Sequence, residues 1–146
     1  MYYSRMTHDE TNQGLTFALL ETADRLERRL DRALSNTRGI SFREYQLLRE
    51  LSRLYEGTAT RVDLAAAVGL TPSAVTRALK PLEKLGYVTT QKSDRDARRS
   101  LAMLTAGGRE LLADAQAAVD DVIAELSFPS VNCQQLIRFL HALGGR

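Results

Sequence analysis

A chain of 146 residues with 44% hydrophobic and 26% charged side chains is long enough for one buried core. It is too evenly mixed for a disordered tail or a fibre, and its longest nearly unbroken apolar run, Leu64 to Val68, is far short of the roughly 20 residues of a membrane helix. The net charge of +2 conceals an imbalance: Thr71 to Ser100 holds seven cations against three carboxylates, a local +4, whereas from Thr105 onward five carboxylates face three cations. Such asymmetry points to a localised anionic partner, with a merely solvated basic surface as the alternative.

Taken in chain order, the periodicity is helical nearly throughout. A first helix is expected from about Asn12 to Leu34, with Leu15, Leu19, Ala23, Leu26, Leu30 and Leu34 on one stripe. Gly39-Ile40-Ser41 then interrupts the chain. Ser41 and Glu44 have the spacing of a capping box, and Ile40 and Tyr45 that of a hydrophobic staple, so a second helix should run from there to about Tyr55. Glu56-Gly57-Thr58 breaks it. A short third helix follows, with Thr60 as N-cap, Asp63 at its third position and Gly69 where a left-handed residue belongs. Thr71 caps a fourth helix with Pro72 in its first turn, and Leu70 can staple onto Val75; the helix reaches Leu85 and stops at Gly86. Two β-like runs, Tyr87 to Lys92 and Ser100 to Leu104, flank a polar loop of hairpin type. Thr105 caps a long helix from Ala106 to about Leu126. Pro129 ends that helix, and Ser130 starts a last one carrying Leu136, Phe139, Leu140 and Leu143 at i, i+3, i+4, i+7 spacing. No internal repeat or low-complexity segment is present.

Two short helices joined by a three-residue turn containing Gly69 follow the plan of a helix-turn-helix, with Leu64, Val68, Leu70, Val75, Leu79 and Leu82 as shared core and small Ala65 at the crossing. The opposite face of the second helix is Ser73, Thr76, Arg77, Lys80 and Lys84, without a carboxylate. Hydroxyls and Arg can read base edges, and Lys and the helix N-terminus can hold phosphates. The hairpin that follows, with Arg95, Arg98 and Arg99 near its tip, makes the unit a winged helix-turn-helix. Its tip can place an Arg in the minor groove, and Asp96 can hold Arg98 rigid. A solvated helical hairpin and a mobile charged loop are the bland alternatives. The apolar stripes of the first and last helices have no partner in this lobe and read as a dimer interface, against the alternative of a monomer folding its ends together. The expected fold class is mainly α with a small β-wing, a winged helix-turn-helix flanked by N- and C-terminal dimerisation helices. The expected division is 1–36, 37–104 and 105–146 within one compact unit.

The runs Leu82-Glu83-Lys84-Leu85-Gly86-Tyr87-Val88, Asp96-Ala97-Arg98 and Leu104-Thr105-Ala106-Gly107-Gly108 resemble the MarR family of bacterial transcription regulators. Its marks are an L-E-x-x-G-hydrophobic element, a D-x-R wing and an L-T-x-x-G junction, and the resemblance extends over the whole chain. It implies a homodimer on a pseudo-palindromic operator of double-stranded DNA, acting as a repressor. The recognition helix, about 72–85, would lie in the major groove and the wing, about 87–104, at the minor groove. Ser73, Thr76 and Arg77 occupy the family's recognition positions, and Arg98, with Asp96 beside it, the wing position. Two features depart from the pattern. Pro81 falls inside the recognition helix and should bend it, and Thr89-Thr90-Gln91 stands where many relatives carry an Arg. Members of the family often release DNA when a small aromatic or phenolic anion enters a cleft between the dimerisation helices and the DNA-binding lobe. Tyr45, Arg49 and Arg53 are the residues placed to line such a cleft; ordinary packing for Tyr45 and surface ion pairs for the arginines are the alternative.

The single cysteine excludes an internal disulfide framework and a multi-cysteine zinc site. Cys133 admits a thiol redox reading, although a lone cysteine is usually a small buried hydrophobe and the family's sensing cysteines belong to the first helix. His8 and His141 lack ligand spacing with carboxylates, Gly107-Gly108 is a weak phosphate-loop signal, and no nucleophile–base arrangement stands out. No enzyme, cofactor or metal is expected. Met1 to Glu10 is polar and lacks the apolar stretch of a signal peptide, which leads to the expectation of a cytoplasmic protein without a membrane partner. The rival from another class is a winged-helix interaction module that has lost DNA binding.

Overall fold

The structure, a computed structural model, describes residues 8–92, 100–128 and 130–145. Its first helix, α1 (His8–Arg38), is longer at both ends than its apolar stripe. Asp9 and Glu10 in the first turn and Arg38 in the last suit the helix dipole, so polar residues continue what the stripe begins. Only the C-terminal part of the stripe is covered. Leu34 is fully buried, Leu30 packs on the core, Leu19 and Leu26 are half-buried and Leu15 is exposed, as are Phe17 and Leu20 beside the stripe.

Helix α2 (Phe42–Arg53) begins at the expected capping box. Glu44 N donates to Ser41 Oγ at 3.1 Å, and Ser41 N donates to Glu44 Oε2 at 2.7 Å. Ile40 and Tyr45 are both buried beside it, as a staple requires. Phe42 N also donates to Asp31 Oδ1 of α1 at 2.5 Å, which ties the first turn of α2 to the preceding helix.

After α2 the structure holds an element that the sequence reading leaves as a break. A 3₁₀ turn (Tyr55–Gly57) leads into strand β1 (Thr58–Thr60), in which Ala59 is buried opposite Ala102. Three residues are too short to display a two-residue period, so only the strand they pair with reveals them. Arg109 Nη2 secures the turn by donating to the Glu56 carbonyl at 3.1 Å.

Helices α3 (Arg61–Val68) and α4 (Pro72–Lys84) start and stop where their caps predict. Asp63 N donates to Thr60 Oγ1, and Ala74 N donates to Thr71 Oγ1. Gly69, at φ 67°, takes the left-handed conformation that a side chain would penalise. Strands β2 (Val88–Lys92) and β3 (Ser100–Leu104) complete an antiparallel sheet in the order β1-β3-β2, with Val88 opposite Leu104 and Lys92 opposite Ser100.

Helix α5 (Ala106–Ala124) leaves the sheet through Thr105. Its hydroxyl donates to the Gly86 carbonyl at 2.7 Å and accepts from Gly108 N at 3.0 Å, so one side chain joins the end of the lobe to the new helix. The glycine pair has a packing role here. A Cβ on Gly108 would lie 2.1 Å from the Tyr87 carbonyl oxygen. Ion pairs Arg29–Glu125 and Arg38–Asp114 hold α1 against α5. The last helix, α6 (Cys133–Leu143), begins three residues after the expected start at Ser130, because Asn132 caps it: Asn132 Oδ1 accepts from Gln135 N at 3.0 Å. No residue of α6 is buried.

Candidate nucleic-acid interface

The helix-turn-helix is assembled from one shared apolar seam. Leu64, Ala65, Val75, Leu79 and Leu82 are buried, and Val68 and Leu70 pack against them. Fixing those positions inward turns Ser73, Arg77, Lys80 and Lys84 out to solvent, with Thr76 half-buried between the two faces. The Thr76 hydroxyl donates to the Pro72 carbonyl at 3.0 Å, leaving its lone pairs and methyl group outward. Among the described residues, no ion pair engages Arg77, Lys80 or Lys84. The first turn of α4 has no acidic residue, and its sole carboxylate, Glu83, is held by Arg61. A helix N-terminus and three unpaired cations therefore share one surface, which suits a polyanion.

Pro81 lies inside α4 at an exposed position, and the helix continues through it to Lys84. It deprives the Arg77 carbonyl of its usual donor without ending the helix, and Leu85 N donates onward to the Pro81 carbonyl at 3.1 Å. Beside α4 the hairpin of β2 and β3 forms the root of a wing. The candidate wing residues Arg95, Asp96, Arg98 and Arg99 lie outside the described residues.

A second feature of the same lobe is a cavity of about 270 Å³ between α1, α2 and α5, lined by Leu30, Phe42, Tyr45, Arg49, Gln116, Val119 and Ile123. Tyr45 and Arg49, two of the three residues named for a ligand cleft, both line it. Arg53 does not line the cavity; it is exposed and faces Glu50 one turn back at 3.8 Å. The Tyr45 hydroxyl donates to Gln116 Oε1 at 2.6 Å, and Gln116 Nε2 donates to Asp120 Oδ1 at 2.8 Å. Burial raises the Tyr45 pKa above the ordinary phenol value, against the lowering charge of Arg49, so the hydroxyl stays a donor. Gln116 went unnoticed in the sequence because nothing local distinguishes it; its role comes from meeting a residue 71 positions away.

Cys133 is exposed at the start of α6, not buried as an isolated cysteine usually is. Among the described residues, no group of three His, Cys, Asp or Glu side chains is placed to hold a metal ion, and no helix is long and apolar enough to cross a membrane. The other residue missed in the sequence is Arg61, whose contacts reach β2, β3 and α4.

Comparison with known proteins gives a consistent likeness. The profile of the MarR family matches residues 38–99, which cover the segment from before α2 to the wing loop. The structure is similar to the transcriptional regulator BldR from Sulfolobus solfataricus, with a TM-score of 0.86 over 97% of this chain and 99% of that one; at 21% identity this is a likeness of fold. It is also similar to Sco3205, a MarR family transcriptional regulator from Streptomyces coelicolor in complex with DNA, at 26% identity and TM-score 0.81 over 97% and 88% of the two chains. CouR from Rhodococcus jostii RHA1, bound to p-coumaroyl-CoA, matches at 27% identity and TM-score 0.78 over 88% and 90%. No curated protein matches the chain.

Proposed function

We propose that this chain, which resembles the MarR family of transcription regulators over residues 38–99, is a cytoplasmic homodimer that binds a pseudo-palindromic site in double-stranded DNA and represses the promoter it covers. The observation that carries this reading is the outward face of α4: Ser73, Arg77, Lys80 and Lys84 exposed beside Thr76, with no carboxylate among them and no ion pair to the cations among the described residues. In the major groove Ser73, Thr76 and Arg77 read base edges while Lys80 holds phosphate. Arg95, Arg98 and Arg99 of the wing, with Asp96 steadying Arg98, reach the neighbouring minor groove. Segment 37–104 is the reading lobe. Segments 1–36 and 105–146 pair two copies, which sets two recognition helices roughly 34 Å apart or a multiple of that.

The relative bound to DNA and the relative bound to an aromatic thioester support both halves of a ligand-relieved repressor. In this chain the cavity between α1, α2 and α5 is the proposed effector site. Its volume, near the lower end for small-molecule pockets, suits a single aromatic ring. Arg49 offers charge to an anion, and Tyr45 and Gln116 offer hydrogen bonds. Fluorescence anisotropy on a duplex from the chain's own upstream region, at 50 and 200 mM salt, tests the DNA reading. Release of phosphate counterions should weaken binding by about a thousandfold or more across that range. Absent or salt-independent binding would leave a protein-interaction module instead.

A further inference from the structure

The wing of this molecule is fixed at its root by a side chain from a helix that precedes it. Arg61 is the first residue of α3, and its guanidinium reaches three other elements at once. Nη1 donates to Ser100 Oγ of β3 at 2.9 Å; Nη2 donates to Glu83 Oε1 of α4 at 3.0 Å and to Thr90 Oγ1 of β2 at 3.1 Å. The Thr90 hydroxyl donates in turn to the same Glu83 oxygen. With side chains only 17% and 28% exposed, the Arg61–Glu83 pair is less screened than the α1 pairs Arg25–Glu21 and Arg28–Asp24, which are about two-thirds exposed.

The position of these contacts matters as much as their number. Ser100 pairs with Lys92, the last rung of the β2–β3 ladder before loop 93–99, and Thr90 stands two residues earlier on the opposite strand. Apolar packing anchors the ribbon at Val88, Ala102 and Leu104, yet from Thr89 to Lys92 strand β2 is exposed. The ladder joins β2 to β3, and β1 holds β3 to the lobe only from Leu101 to Met103, so β2 and the outer end of the ribbon are tied less closely to α4. Arg61 and Glu83 add a constraint at that outer end, with donors in a rigid planar fork that a lysine cannot reproduce.

We propose that Arg61 is a positioning residue for the wing: through Glu83, Thr90 and Ser100 it sets the tilt of the β2–β3 ribbon against α4, so that wing and recognition helix engage one duplex together. This rests on the DNA-binding reading above. A binding cycle tests it, using the same upstream duplex with the wild type, Arg61→Ala, Arg98→Ala, Arg77→Ala and the two double variants containing Arg61→Ala. Alone, Arg61→Ala should weaken binding about tenfold, or about 1.4 kcal/mol. With Arg98→Ala already present the further loss should fall below about twofold, whereas with Arg77→Ala it should stay near tenfold. Arg61→Lys, which keeps the charge facing Glu83, should recover part of the affinity. Full additivity with Arg98→Ala, or equal coupling to Arg77→Ala, would overturn the positioning role. If thermal unfolding shows Arg61→Ala to be unfolded, Arg61→Lys and the near-isosteric Glu83→Gln carry the same cycle with the same criterion. A wild type that ignores DNA overturns the functional reading itself, and this one with it, before any variant is compared.

Discussion

Helices α4 and α6 both turn a coherent face to water, and they differ in what lies behind it. The apolar side of α4 is covered within the chain, with Val75, Leu79 and Leu82 buried, so its outward face is free to carry cations and hydroxyls. Among the described residues nothing buries the apolar side of α6. Leu136, Ile137, Phe139, Leu140 and Leu143 remain 37–58% exposed, and the near end of α1 adds Leu15, Phe17 and Leu20. A charged face is content in water until a polyanion displaces its counterions. An apolar face left in water forgoes about 25 cal/mol for each Å² that burial would remove. On the proposed reading the first surface awaits an occasional partner, and the second a standing one.

Placing charges on the standing interface should have the largest effect. Phe139→Glu and Leu140→Glu should each cost about 2–4 kcal/mol of dimerisation free energy if these residues sit at the centre of the contact. Sedimentation velocity should show dimer giving way to monomer, and an unchanged dimer would place the interface elsewhere. Next comes the occasional interface. Arg77→Ala should cost about 1–3 kcal/mol of DNA affinity and relax preference at the base it reads, with the dimer intact. A uniform loss across all sequences would reassign Arg77 to phosphate. The smallest effect concerns the cavity between α1, α2 and α5, which belongs to neither face. Burial raises the Tyr45 pKa, so the neutral phenol favours the folded state; that contribution is complete below about pH 10, the unfolded value, and is lost as pH climbs through the raised folded one. Tyr45→Phe should therefore flatten the alkaline fall in unfolding temperature. It should also cost about 1 kcal/mol at neutral pH through the lost hydrogen bond to Gln116. An alkaline limb unaltered by the substitution would assign the titration to another tyrosine.

What the sequence discloses and what it withholds divide along the same physical line. Caps and staples are local: Ser41 with Glu44, Thr60, Thr71 with Pro72, and Thr105 each act within a turn, so helix starts at α2 to α5 are readable to within a residue. Asn132 escaped because Ser130 offers the same chemistry two residues earlier, and only the structure decides between them. Strand β1 exists through its pairing with β3, and Arg61 acquires its meaning from partners 22, 29 and 39 positions away. The outward face of α4 was legible because it is the complement of a periodic apolar seam. For the cavity, the α2 residues Tyr45 and Arg49 were named through the family resemblance, whereas Gln116 on the opposing wall was not.

The junction between Gly86 and α5 also bears on which substitutions the chain can accept. Gly107 and Gly108 are neighbours at the start of one helix, yet a methyl group at the first would meet only ordinary contacts at 3.8 Å, and at the second it would strike the Tyr87 carbonyl. In a saturation library the two positions should separate sharply. Alanine at 107 should be tolerated or gain up to about 1 kcal/mol from helix propensity. Every side chain at 108 should be depleted, because accommodating it means prising the residue that leads into the wing's first strand away from α5.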